Sequence, residues 1–360
     1  MRRGCDSRPG QLNVDRELWQ APGARGIYGG TVIAQSLAAA FHTVPESSTA
    51  NNDAFYLPHS MHCYFILAGN ANIPILFYVE RVREGRSFLT RTVQARQRGK
   101  CIFTATISFV AEGSGGQEFL QHGWDMPHNA KDKLDRILQE EKHSDRKCTE
   151  ANGASLTDKA NRWPFKAKRL GIENSEHIWW PNHYRLRDLL TMKRFIGSSA
   201  LPQERRPQTW LQCNGTIRGG LREHICALAY ISDSYFIGAV PRVHRLERFG
   251  LHADSPSAFL RELAQEELKE LSSNVKGFQS EAEQAKPSPN THAQQPNARI
   301  GMMVSLDHAI YFHHPRDVKA DDWLFSEMEV PWSGEGRGMV TQRLWNQEGR
   351  LLASCVQEVT

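Results

Sequence analysis

The last stretch of the chain, Gly349-Arg-Leu-Leu-Ala-Ser-Cys-Val-Gln-Glu-Val359, repeats the pattern of Gly99-Lys-Cys-Ile-Phe-Thr-Ala-Thr-Ile-Ser-Phe-Val110. Each is a strand-like run after a glycine-basic turn, and each stands near the end of one half of the protein. Repetition constrains the fold strongly, because each copy must bury an apolar face against another layer. Further landmarks recur in the same order. Tyr64-Phe65 answers Tyr311-Phe312, Gly85-Arg86 answers Gly336-Arg337, and Gly99-Lys100 answers Gly349-Arg350. Chance explains one such pair easily and the ordered set poorly.

The elements around these landmarks share an order. In the first half, Gly29-Gly30 precedes Thr31–Phe41, an alanine-rich run with helical apolar spacing. Strand patterns follow at Met61–Leu67, Ile73–Val82, Phe88–Arg96 and Cys101–Val110, separated by turn signals at Gly69, Gly85 and Gly99. In the second half, Gln208–Ile217 reads as a strand and His224–Val240 as a long apolar helix. That helix carries Cys226, Ala229, Asp233, Ile237 and Val240 on one stripe. Strands resume at Gly301–Phe312, Trp323–Val330, Gly338–Leu344 and Leu351–Val359.

We therefore divide the chain into an N-terminal unit over 11–118, a connector over 119–206 and a C-terminal unit over 207–360. Lys131–Lys147 in the connector reads as a charged surface helix, and Trp163, Trp179 and Trp180 as packing anchors. Within the C-terminal unit, 254–298 is a polar insert. Phe259–Leu271 there has the pattern of a charged helix, and Ser280–Asn297 has a disordered composition.

Composition excludes several classes. With 44 Lys+Arg against 40 Asp+Glu, the net charge of +4 is too small to imply nucleic acid. Seven scattered cysteines without a C-x-x-C spacing imply free thiols in a reducing compartment. The start lacks the apolar core of a secretory signal, and no run is long enough to span a bilayer. The chain ends in Glu358-Val359-Thr360, not in the Ser-Lys-Leu peroxisomal address. A soluble intracellular protein is the reading. Fifteen histidines form no H-E-x-x-H, there is no G-x-S-x-G elbow, and neither a metal nor a cofactor is implied. Gly334-Glu-Gly-Arg-Gly338 reads as a hairpin or bulge.

Where the copies differ, polar residues occupy apolar places. Superimposed on the shared landmarks, Pro58 faces Ser305 and Ile107 faces Gln357. Gln357 shares its strand face with Leu351, Ala353, Cys355 and Val359, so its amide needs partners once buried. Asp233 poses the same problem among Ala229, Phe236 and Ile237. Blander readings stand beside this one. Asp233 could cap a helix that starts late, Ser305 could be an ordinary strand residue, and Gln357 could face solvent from an edge strand. The three together, all in the second copy, favour a site.

Arg25-Gly-Ile-Tyr-Gly-Gly-Thr-Val-Ile-Ala-Gln-Ser-Leu-Ala-Ala-Ala40 resembles the first helix of the acyl-CoA thioesterase II family. So do His59-Ser60 with Tyr64-Phe65, and Gly85-Arg-Ser-Phe-Leu-Thr-Arg91. Tyr230-Ile-Ser-Asp233, Ser305-Leu-Asp-His308, Tyr311-Phe-His-His-Pro315 and Ala353-Ser-Cys-Val-Gln-Glu358 extend the likeness through the second half. Leu67-Ala-Gly-Asn70 departs from the family's Arg-Pro-Gly-Asp turn, and the insert before Ser305 is unusual.

The resemblance implies an α+β double hotdog: two tandem units, each a long helix wrapped by an antiparallel sheet. It implies hydrolysis of acyl-CoA, with Asp233, Ser305 and Gln357 as the catalytic carboxylate, hydroxyl and amide. It further implies a homo-oligomer, dimer or tetramer, and a peroxisomal or cytoplasmic location. In that chemistry Asp233 deprotonates a water that Ser305 and Gln357 hold. Two rivals are a hotdog enoyl-CoA hydratase or dehydratase and a non-catalytic acyl-CoA-binding protein. Asp233-Ser-Tyr-Phe-Ile-Gly238 lacks the closely spaced Asn and His of the former, and the intact trio disfavours the latter.

Overall fold

The computed structural model describes residues 10–13, 18, 20, 24–45, 55–114, 122–135, 138, 190–195, 201–213, 216–217, 219–244 and 302–360. Helix α1 (Gly29–Phe41) is buried from Gly30 to its last residue. A helix buried on every side needs partners on every side. The sheet covers one side and α2 (Leu221–Ser232) the other. The pair runs antiparallel. Tyr28, at the start of α1, stacks edge-on against Tyr230 near the end of α2, with ring centroids 4.9 Å apart. At the opposite end, Arg222 lies over the Phe41 ring and reaches the carbonyls of Phe41 and Pro45. The short alanine side chains of α1 permit this close packing.

The strands are β1 (Gly10–Asn13), β2 (Tyr56–Phe65), β3 (Leu76–Glu84), β4 (Phe88–Gln97), β5 (Lys100–Ala111), β6 (Leu190–Phe195), β7 (Gln208–Cys213), β8 (Asp307–Phe312), β9 (Leu324–Gly334), β10 (Arg337–Trp345) and β11 (Leu351–Val359). Among the described residues they form one antiparallel sheet of eleven strands, ordered β1-β3-β4-β5-β2-β8-β11-β10-β9-β7-β6. Read outward from the central β2–β8 pair, the halves match strand for strand: β2 with β8, β5 with β11, β4 with β10 and β3 with β9. The chain is an α+β double hotdog, as the family resemblance implies. Two hairpins at non-corresponding places use the same kind of turn, Arg98-Gly99 between β4 and β5 and Glu335-Gly336 between β9 and β10, all four residues at positive φ. Such two-residue turns match the twist of the paired strands.

Several elements differ from the sequence reading. The helix anticipated over His224–Val240 is two helices, α2 and α3 (Phe236–Val243), because Tyr235 adopts a left-handed conformation with φ 68° and breaks the register. The stripe therefore fails beyond Asp233, and Ile237 is exposed. Strand β2 starts five residues earlier than Met61, passing Pro58 by a bulge, which accommodates a residue with no N–H to give the ladder. Strand β7 ends at Cys213 rather than Ile217. Strands β1 and β6 carry no clear alternation and were not anticipated; β6 lies inside the connector and pairs with β7 along its length.

Residues 129–135 are helical at the start of the expected Lys131–Lys147 helix. Here Ala130 and Leu134 join Trp210, Phe325 and Trp345 in a separate buried cluster, and Trp210 donates its indole N–H to the Ala130 carbonyl at 2.9 Å. The anchors Trp163, Trp179 and Trp180, the segment Phe259–Leu271 and the segment Ser280–Asn297 lie outside the described residues. No helix among the described residues is long and apolar enough to cross a membrane.

Candidate active site

Helix α2 ends on Ser232, and Asp233 is its C-cap, in the three-residue break before α3. A carboxylate at a helix C-terminus meets the unfavourable end of the helix dipole. Its compensation comes from the other helix: the Gly30 backbone N–H, at the start of α1, hydrogen-bonds to Asp233. The site therefore spans both halves. Glycine at position 29 permits the approach, since a Cβ there would stand 2.7 Å from Asp233 Oδ2 and 2.8 Å from a ring carbon of Phe65. Burial raises the Asp233 carboxyl from 3.8 to about 7, while the Gly30 N–H and the Gln357 amide pull it back down. Oxygen Oδ1 is buried without a hydrogen-bond partner among the described residues.

The amide of Gln357 is fully buried on β11, inside the sheet rather than at an edge. Its Nε2 donates to Ser305 Oγ. Ser305 is placed by a short antiparallel pairing in which Val304 and Thr360 exchange backbone hydrogen bonds and Ser305 sits opposite Val359. The carbonyl oxygen Oε1 of Gln357 faces Nδ1 of His308 at 2.6 Å, and Nε2 of that ring is 3.0 Å from Ser232 Oγ. Gln357 thus touches Ser305 directly and interacts with Asp233, so the three residues read from the sequence stand together.

Sequence reasoning missed His308, Ser232 and the glycines at the start of α1. A signal for His308 was available. The superposition of Tyr64 on Tyr311 also sets Met61 against His308, a second polar residue in an apolar place. Two thiols border the cluster, Cys63 and Cys355, and burial raises both. They are protonated and poor nucleophiles. Among the described residues, no group of His, Cys, Asp or Glu could hold a metal ion.

A buried carboxyl poised near neutrality, beside a fixed amide and hydroxyl, is an arrangement that can take a proton from water. A family model described as the acyl-CoA thioesterase N-terminal domain matches residues 16–110, and one described as the acyl-CoA thioesterase C-terminal domain matches residues 172–360. The chain belongs to the acyl-CoA thioesterase family. As a member it is a thioester hydrolase. Acyl-coenzyme A thioesterase 8 of Rattus norvegicus is 29% identical over 350 residues, covering 95% of this chain and 82% of that protein. Peroxisomal acyl-coenzyme A thioester hydrolase 1 of Saccharomyces cerevisiae is 27% identical over 353 residues, covering 96% of this chain and 88% of that protein. The crystal structure of a hot dog fold protein from Alicyclobacillus acidocaldarius aligns with a TM-score of 0.53 at 16% identity, covering 99% and 94% of the two chains. That likeness bears on the fold alone.

Proposed function

We propose that this acyl-CoA thioesterase hydrolyses its substrate through a water activated by Asp233, with Ser305 and Gln357 fixing the water's position. The observation that carries the reading is the state of the Asp233 carboxyl: buried, raised to about 7, and with Oδ1 unpartnered among the described residues. A general base works best with a pKa near the working pH and within hydrogen-bond reach of the proton it takes. The Gln357 amide and Ser305 hydroxyl restrict the orientations of a molecule held between them, which lowers the entropic part of the barrier. Attack on the thioester carbonyl then gives the carboxylic acid and the CoA thiol.

A covalent route would need an accessible nucleophile beside a base. The Ser232–His308 pair has the spacing, but both residues are buried without exposed surface, and burial lowers His308 to about 4. So weak a base does not activate a hydroxyl near pH 7. We include in this reading a homo-oligomeric assembly and a peroxisomal or cytoplasmic location, which light scattering and imaging of the tagged chain would test.

The deciding experiment is thiol release from acyl-CoAs of graded chain length. Turnover should rise with pH through about 7 as Asp233 ionises. Asp233→Asn should lose on the order of 10²- to 10⁴-fold in kcat, the usual share of a general base, and Gln357→Ala should lose less. Wild-type rates in both variants would overturn the assignment, and acyl-CoA binding without turnover in the wild type would favour a binding protein.

A further inference from the structure

We propose that His308 is a positioning residue that sets which end of the Gln357 amide faces Asp233 and Ser305. The proposal rests on the reading of Asp233, Ser305 and Gln357 as the site. It begins with a count of protons. His308 is fully buried, and burial keeps the ring neutral at pH 7, so it carries one N–H. The atom of Gln357 within 2.6 Å of Nδ1 is the carbonyl oxygen, which only accepts. The proton therefore sits on Nδ1. Ring atom Nε2 is then an acceptor, and the Ser232 hydroxyl 3.0 Å away shares its one proton between Nε2 and the Ala229 carbonyl at 2.8 Å.

The chain of donors runs one way: Ser232 hydroxyl to His308, His308 to the Gln357 carbonyl, and the Gln357 N–H₂ to Ser305. One other arrangement satisfies the same atoms. In it the Ser232 hydroxyl gives its proton wholly to the Ala229 carbonyl, His308 carries its proton on Nε2, and the amide is reversed. That reversal presents the Gln357 carbonyl oxygen to Asp233, which in the ionised form that acts as base sets acceptor against acceptor in a buried place, where such a mismatch is costly. With Nδ1–H held by His308, the amide keeps its donor end toward the carboxylate.

The first half of the molecule supports the pairing. In the shared strand pattern Met61 stands where His308 does and Ile107 where Gln357 does, and Met61 and Ile107 are partners across β2 and β5. His308 lies opposite Gln357 in the same way, one step along from the Val356–Ala309 pair of β11 and β8. Two apolar side chains have no orientation to fix. Where one became an amide, its cross-strand neighbour became a donor.

Two measurements on the full chain test this. In ¹⁵N-histidine NMR at pH 7, the signal lost in His308→Asn should show the Nδ1–H tautomer; the Nε2–H tautomer or an imidazolium overturns the proposal. In turnover assays, His308→Asn, whose side-chain N–H₂ replaces the Nδ1 donor, should keep most of the rate. His308→Leu should lose on the order of 10- to 100-fold in kcat with little change in KM, the scale of a misplaced site group. In a Gln357→Ala background the Leu substitution should cost nothing more. Equal losses in Asn and Leu, or additive loss in the double variant, overturn the proposal. Full turnover in Gln357→Ala instead sinks the site reading, and the tautomer still decides the hydrogen-bond assignment. If the Leu variant does not fold, the tautomer decides alone.

Discussion

The two halves share strand order and helix packing, yet the corners at their helix ends are built from opposite materials. At the end of α1 the cap residue is His42, which is exposed, and the interior beside it is closed by Arg91. The Arg91 side chain is fully buried, donating to Thr43 Oγ1 at 2.7 Å and the Thr43 carbonyl at 3.1 Å and pairing with Glu84 at 2.7 Å. Across the strands it faces Ile107. At the end of α2 the cap residue is Asp233, buried, and the residue facing Gln357 on β10 is Val340. One corner spends its polar group on the helix end and is finished. The other leaves a carboxylate oxygen, Oδ1 of Asp233, without a partner among the described residues. Equal backbones thus yield a structural plug in one half and a candidate reaction centre in the other.

The widest separation between the corners should come from Asp233→Asn. Beyond its loss of turnover, it should change stability with pH. The Asp233 carboxyl moves from 3.8 in the unfolded chain to about 7 in the folded one. Between these values the folded state holds the proton more tightly, so the contribution to stability is full below about pH 4. It is lost as pH rises through 7. An asparagine cannot ionise, so above pH 7 the variant should be more stable than the wild type, by up to about 4 kcal/mol. Urea unfolding at pH 5 and pH 8 checks this; an equal difference at both would contradict the burial of the charge.

Gln357→Ile, which gives the second corner the first corner's residue, should cost activity and about 1–3 kcal/mol, since the His308 N–H loses its acceptor. Adding His308→Met should recover the stability and leave turnover lost, as judged by thermal melting and thiol release on the same samples. Arg91→Met attacks the other corner. It should destabilise by about 2 kcal/mol, because the Thr43 carbonyl loses its donor, while the folded fraction keeps its turnover. His42→Ala, at the exposed cap, should change stability by less than about 0.5 kcal/mol, and rate not at all.

Much of this contrast was legible in the chain itself. The order of landmarks carried the duplication, because strands and turns depend on local alternation and on glycine at positive φ. Gln357 was recognisable because burying an amide on an apolar strand face is costly enough to demand partners. Asp233 was recognisable for the same reason, although its place at a helix joint was not. Tyr235 hides that joint: nothing in its chemistry announces a left-handed conformation that glycine or asparagine would advertise. His308 was not legible from its residue type alone, because its meaning lies in its strand partner. Strands β1 and β6 owe their conformation to pairing with β3 and β7, not to their own pattern.

The continuous ladder through β2 and β8 has a consequence for how such a molecule can change. Two identical chains meeting edge to edge are bound by their twofold axis: a substitution at one corner appears at the other. Here the two strands belong to one polypeptide, and that obligation is gone. His308 could arise opposite Cys63 without a second copy of itself across the seam. On the proposed assignment, active-site titration should count one competent centre per chain, half the number of its hotdog units.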